Sequence, residues 1–428
     1  MHDTIVTAPG SLGDVNPLLG IAQQLQAQGR NVLFLAAEPY LPLAERAGLQ
    51  TKPLTTQHEF HELCHDPNLW HPRRGPKLLF DKALRLSLVR HYDWLEQNCV
   101  PGKTLMVSHF LDFSSRVFRD RHPSTRLVSV VLAPATFRSV THPPQLSGTG
   151  LETKLPRWML RAAFWCADRW VDSMALPHIN ALRKNKGLAA VSRIMQKWWM
   201  SPDAVLAMFP QWYENIHEGV QLHEEKPSQV RYVDFPMTDS ATLVTEEVHA
   251  DLQRVLQIVG DSKPILFAPG SAHHQAKKFL QAAADACRRM NRSGILLSPN
   301  TSEQPSSLPA NVATAQYLPF SQLLPHVGAV VHHGGIGTTS QCLAAGVPQI
   351  VLPMAFDQFD NADRVMRLGC GSWFPMRRVS AEKLVEHLSK LALSAEKSND
   401  VAKRLSTARR EKKNPCEVAA ELAVGDSI

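Results

Sequence analysis

Apolar residues fall along this chain in two alternating rhythms. Short runs rich in Val, Ile, Leu and Thr predict buried strands at Thr4–Ala8, Asn31–Ala36, Thr104–Ser108 and Leu127–Leu132. Between them lie longer segments with a helical period, such as Pro17–Gln28, where Leu18, Leu19, Ile21, Ala22 and Leu25 share a face. Asn16 is expected to cap that helix, Pro17 to fill its first position and Gly29 to stop it. The rhythm restarts near residue 263, with strands expected at Pro264–Ala268, Gly294–Ser298, Ala329–His332 and Gln349–Leu352. The restart carries an echo: Ile5-Val6-Thr7-Ala8-Pro9-Gly10-Ser11 returns as Ile265-Leu266-Phe267-Ala268-Pro269-Gly270-Ser271. Strand and helix alternating through short turns imply parallel sheets of βαβ units, so the expected fold class is α/β, two doubly wound domains. Their expected extents are 1–235 and 251–400. A linker is expected at 236–250, overlapping the polar, proline-interrupted stretch Glu225–Val248. A charged, solvated helix is expected over Ala395–Val424, residues 401–428 packing back toward the first domain.

Composition narrows the class. The chain has 428 residues, 44% hydrophobic and 20% charged, which excludes collagen-like, disordered and disulfide-stapled proteins. The seven cysteines form no CxxC pair and argue for a reducing compartment. No basic-then-apolar leader precedes Thr4–Ala8, and no uninterrupted apolar run reaches about 18 residues. A cytoplasmic protein is expected, peripheral on the inner membrane face at most. The net charge of +7 is uneven: residues 151–200 hold nine Lys/Arg against three Asp/Glu, together with five of the nine tryptophans. Within Arg157–Met174, Trp158, Arg161, Trp165 and Arg169 recur at helical spacing, which suits either packing within the domain or a membrane interface.

The candidate chemistry lies in glycine-rich turns. His332-His333-Gly334-Gly335-Ile336-Gly337-Thr338-Thr339 follows a predicted strand and opens a helical run. Such a turn reads equally as a threonine-capped bend or as an anion cradle of backbone N–H groups, with Thr338 and Thr339 hydroxyls as donors and His333 close by. A Walker loop is absent, and the first βα turn reads Gly10-Ser11-Leu12-Gly13 rather than a dinucleotide fingerprint. Downstream, Asp357-Gln358 at the end of a strand is either a turn or a pair able to hydrogen-bond vicinal sugar hydroxyls.

Taken together, His333-Gly-Gly-Ile-Gly-Thr-Thr, Ala345-Gly-Val-Pro-Gln349, Pro353, Asp357-Gln358 and Asn361-Ala362 resemble the donor signature of family 1 nucleotide-sugar glycosyltransferases with the GT-B fold. Gly10-Ser11-Leu12-Gly13-Asp14-Val15-Asn16-Pro17 resembles the first loop of the bacterial and sterol branches. The similarity is greatest to the rhamnosyltransferase catalytic chains of rhamnolipid biosynthesis, carried by Leu69-Trp70, Ile179-Asn180-Ala181-Leu182-Arg183 and Arg367-Leu368-Gly369-Cys370-Gly371. That resemblance implies two Rossmann-like domains facing across a cleft, acceptor bound by the first and donor by the second. It also implies an inverting hexosyl transfer from a UDP- or dTDP-sugar to the hydroxyl of a 3-hydroxy fatty acid dimer, giving a glycolipid.

By the same resemblance, His333, Gly335, Gly337, Thr338 and Ser271 meet the diphosphate, Gln341 the ribose, Tyr317 the base, and Asp357 and Gln358 the sugar. Asp14 stands where relatives carry the catalytic base, with His109 as a substitute; apart from the family frame, Asp14 reads as a helix-capping carboxylate. No cofactor or metal is expected, although His58, Cys64, His61 and His65 cluster and the last two share a helix face. The expected partners are the nucleotide sugar, a lipophilic acceptor, an inner-membrane surface and a protein supplying the lipid; no nucleic acid is expected. Three other readings stand beside this one: transfer to a sterol or polyketide, a non-catalytic accessory subunit, and an NAD-dependent enzyme with Glu38 on the ribose.

Overall fold

The computed structural model describes residues 2–71, 74–137, 143–145, 155–214, 229–237, 245–260, 262–270, 276–298, 300–410 and 413–425. The chain divides into two compact units, Met1–Pro236 with Lys413–Ile428, and Met237–Lys412.

The first unit is built on a seven-stranded parallel sheet, with β1 (Thr4–Ala8), β2 (Val32–Ala37), β3 (Gln50–Thr55), β4 (Leu105–His109), β5 (Leu127–Val131), β6 (Ala204–Ala207) and β7 (Val230–Tyr232) in the order β3-β2-β1-β4-β5-β6-β7. The second has six parallel strands, β8 (Ile265–Ala268), β9 (Gly294–Leu297), β10 (Val312–Ala315), β11 (Ala329–His332), β12 (Gln349–Val351) and β13 (Gly371–Trp373), in the order β10-β9-β8-β11-β12-β13. Both sheets are therefore doubly wound and Rossmann-like, reversing direction between β1 and β4 and between β8 and β11. Crevices at such reversals, beyond the carboxyl ends of the strands, are where open α/β sheets bind ligands.

Every strand expected from the sequence is present. The strands that the pattern missed are β3, β6, β7, β10 and β13, and all but β6 lie at a sheet edge. An edge strand is covered on fewer sides, so its sequence need not be continuously apolar. The polar run Gln50-Thr51-Lys52 in β3 is an example, with Gln50 exposed and Thr51 and Lys52 half-buried.

Helices used below are α1 (Leu12–Ala27), α2 (Gln57–His65), α3 (Phe113–Arg121), α4 (Arg157–Asn185), α5 (Ile336–Ala345), α6 (Gln358–Arg367), α7 (Ala395–Arg410) and α8 (Pro415–Val424). Two expectations are corrected. Helix α1 begins at Leu12 with Ser11 as N-cap, so Asn16 and Pro17 both stand inside the helix. Asp14 makes the earlier start possible by taking up the Ser11 N–H, which offsets the backbone bond lost at the proline. The stretch Ala395–Val424 is two helices rather than one solvated helix. The first, α7, packs on α5, while α8 buries Cys416, Ala419, Ala420 and Ala423 and packs on α1. Arg126 Nε and Nη2 donate to the terminal carbonyls of Ala423 and Leu422.

Candidate functional site

In the first unit the βα turn after β1 folds back on Gly10. Its φ of +120° is a conformation L side chains avoid, and an added Cβ would stand 2.3 Å from Asp14 Oδ2. Glycine here admits the carboxylate. Oδ2 accepts from Ser11 N (2.8 Å) and Ser11 Oγ (3.2 Å). Oδ1 faces His109 Nε2 at 3.7 Å. The capping and catalytic readings of Asp14 thus occupy different oxygens of one carboxylate.

His109 ends β4, across the sheet reversal, and is 4% exposed. Its Nδ1 accepts from Leu111 N (3.4 Å), which leaves Nε2 as the protonated nitrogen turned toward Asp14. Burial lowers its pKa below the usual histidine value, opposed by the carboxylates of Asp14 and Asp112. A neutral imidazole whose lone pair is engaged is a poor general base. His109 is better suited to donate toward the Asp14 carboxylate and hold its orientation.

Two features escaped the sequence reading. Tyr40 lies beside the same turn. Burial, then the charges of Cys64 and Asp14, raise its pKa, while the Leu12 N–H bonds to its oxygen. An aromatic wall adjoins His109: its ring lies 4.4 Å from Phe110, which stacks on Trp199 at 5.4 Å, and Trp199 also meets Phe113. The Trp199 indole nitrogen is buried with no hydrogen-bond partner among the described residues. Adjacent tryptophans in the sequence gave no hint that they flank the end of β4.

In the second unit the echoed turn places Gly270 under His333. Gly270 has φ +104°, and a Cβ there would come within 2.9 Å of the imidazole. A Cβ at Gly335 would approach His333 Nε2 to 2.5 Å, so the ring is held between two glycines. The neighbouring His332 does the anchoring: its Nδ1 accepts from Gly334 N (3.1 Å) and its Nε2 pairs with Gln349 Oε1 (2.9 Å). Complete burial lowers the His332 pKa to about 4, so it stays neutral.

Helix α5 starts immediately after, with Gly335 as N-cap, a residue that has no side chain to cap the first amides. Ile336, Gly337 and Thr338 are half-buried there, an arrangement that can receive an anion. Thr338 and Gln341 lie one helical turn apart on α5, both half-buried. Thr339 does not serve as an anion donor: it is buried, and its hydroxyl donates back to Gly335 O (3.0 Å).

Beyond β12, Phe356 adopts φ +57°, a strained conformation that sets the Asp357–Gln358 turn. Asp357 Oδ2 accepts from Asn361 Nδ2 (2.8 Å), which also donates to Gly334 O (2.9 Å). Asn361 thereby ties the Asp357 turn to the glycine turn. Gln358 is 3% exposed, and its Oε1 accepts from Met354 N (2.8 Å) and Ala355 N (3.3 Å). Tyr317 is half-buried just past β10, and Ser271 lies outside the described residues.

The remaining candidates are structural. Glu38 accepts from Gln57 N (2.6 Å), at the first residue of α2. On α2 the His61 and His65 rings stack at 3.8 Å, and His65 Nδ1 is engaged with His61 O (2.9 Å). Among the described residues no His, Cys, Asp or Glu cluster has the makings of a metal site.

The family model for the erythromycin biosynthesis protein CIII-like C-terminal domain matches residues 290–424. The O-mycaminosyltylonolide 6-deoxyallosyltransferase of Streptomyces fradiae is 26% identical over 394 residues, 88% of this chain and 86% of that protein. Among solved structures, the glycosyltransferase of kitacinnamycin aligns with a TM-score of 0.70 at 16% identity, covering 98% of this chain and 97% of that one. The spinosyn rhamnosyltransferase SpnG complexed with thymidine diphosphate aligns with a TM-score of 0.65 at 16% identity, covering 99% and 100%. The two doubly wound parallel sheets are those of the GT-B fold, and the relatives that align with most of the chain are glycosyltransferases.

Proposed function

We propose that this enzyme transfers a hexose of rhamnose or glucose type, with inversion, from a nucleoside-diphosphate sugar to the hydroxyl of a lipophilic acceptor. The observation that carries this reading is the Asp14–His109 pair set beside the wall of Phe110 and Trp199. An apolar acceptor packs on aromatic faces, and a carboxylate at the edge of that wall can take its proton.

Asp14 accepts the acceptor's hydroxyl proton as the oxygen attacks the anomeric carbon. The bond from that carbon to the diphosphate oxygen breaks, and the nucleoside diphosphate leaves with the electron pair. The first amides of α5, Thr338 and the His333 ring stabilise the leaving charge. Gly335 and Gly337 let the phosphates approach the backbone, with Ser271 a further donor; Gln341 serves the ribose, Tyr317 the base, and Asp357 with Gln358 Nε2 the sugar hydroxyls. These groups supply positioning and charge stabilisation.

The resemblance in sequence favours a 3-hydroxy fatty acid dimer as acceptor. The names of the relatives, which include a demethyllactenocin mycarosyltransferase of Streptomyces fradiae, favour a polyketide-type aglycone instead. A panel of thymidine and uridine diphosphate hexoses against both acceptor classes, read by mass spectrometry, decides between them. Product with neither class, alongside donor binding, would overturn the lipophilic-acceptor reading.

A further inference from the structure

Helix α4 is docked on the first unit by one face only, through Leu160, Val171, Met174, Ala175, Ile179 and Leu182. The opposite face of an ordinary surface helix is polar. Here it is aromatic and basic. Trp158, Trp165 and Trp170 are 70%, 51% and 43% exposed, and Arg157, Arg161 and Arg169 are exposed among them. Arg169 lies over the Trp165 ring at 5.2 Å, on the outside of the helix.

The acids on this stretch are turned the other way. Asp168 is 1% and Asp172 5% exposed. Asp172 accepts from Arg193 N (2.8 Å) and Ile194 N (3.1 Å), and Asp168 faces the Arg193 guanidinium at 3.6 Å. From Arg157 to Ser173 the exposed charges are therefore all positive. The rest of the tryptophan-rich window has a different fate: Trp198 is buried, its indole nitrogen bonded to Asp120 and its ring under Arg116 and Arg183.

From this we infer that the N-terminal half of α4 is an interfacial helix that seats the enzyme on an anionic lipid bilayer. Indole rings settle at the headgroup level, where an apolar body and an N–H are both accommodated, and guanidinium groups meet lipid phosphates. A protein partner of general kind would not require a face without exposed acids; an anionic membrane does. Among the described residues no helix is long and apolar enough to cross a bilayer, so the contact is peripheral. The inference is independent of which sugar and acceptor the enzyme uses.

Co-sedimentation of the full chain with phosphatidylglycerol and phosphatidylcholine vesicles at low salt tests it. Binding to the anionic vesicles alone, with a blue shift of tryptophan emission, is the expected result. The triple variant R157Q/R161Q/R169Q should lower partitioning about 100-fold, since each basic side chain contributes about fivefold. The triple variant W158A/W165A/W170A should weaken binding and abolish the spectral shift, both variants keeping the parent's unfolding midpoint. No binding to phosphatidylglycerol would overturn the inference, as would binding that both variants retain. So would light scattering that shows a dimer of the parent chain dissolved by the tryptophan variant, which would assign the face to a second copy.

Discussion

Asp14 binds Ser11 through one oxygen and looks toward His109 with the other, so an isosteric change separates its two roles. Asp14→Asn keeps an acceptor for the Ser11 N–H and should leave unfolding within about 1 kcal/mol of the parent. Turnover should fall about 100- to 10,000-fold, because an amide cannot take a proton. Parent-like kcat in this variant would remove Asp14 from the mechanism. His332 allows a cleaner test of burial. Its pKa is about 4 in the folded chain and about 6.5 when unfolded, so the unfolded state binds the extra proton between those values. Stability is thus fully present above pH 6.5 and lost as pH falls toward 4, by about 3 kcal/mol. His332→Asn keeps an acceptor for Gly334 N and should flatten that loss in urea titrations across the window; an unchanged slope would refute the assignment. Sequence alone singled out His333, which stands in the motif that carries the family resemblance. Only the Gly334 and Gln349 contacts reveal that its neighbour holds the turn.

Among the elements, the central strands were legible and the edges were not. Residues of β1, β4, β8 and β11 are buried on both faces, and their continuous apolar runs announce them. Edge strands such as β3 and β13 mix in polar residues and leave no such run. The Ala-Pro-Gly-Ser echo was legible as letters, but its consequence needed the register. His332 pairs with Ala268, and extending the β1–β4 register by one residue sets His109 level with Ala8. The two histidines are thus equivalent, and each accepts the N–H two residues on through Nδ1. Each echoed glycine lies against a candidate site side chain, Asp14 in one unit and His333 in the other. Gly270→Ala should displace His333 and lower kcat/KM on the order of 100-fold. Near-parent kinetics would show that the ring does not need its seat. The helix α8 offers a different test, since Ala420 is fully buried. Ala420→Glu should destabilise the first unit by about 3 kcal/mol or more, measured by chemical unfolding. A smaller loss would mean α8 is dispensable to it.

For the whole molecule, the order of the chain matters as much as its shape. The first unit is interrupted after Pro236 and is completed only from Lys413 onward, by the helix that packs on α1. During synthesis, α1 is made before the second unit, but its covering helix emerges after the entire second unit. Val15, Leu18, Leu19 and Ala22 belong to a helix that must wait for its partner. The second unit, contiguous in sequence, can fold in the meantime. The later-made half is therefore the one free to finish first, and the half bearing Asp14 is closed last. A chain cut short before Lys413 would hold a folded second unit and an N-terminal unit still open to chaperones and proteases.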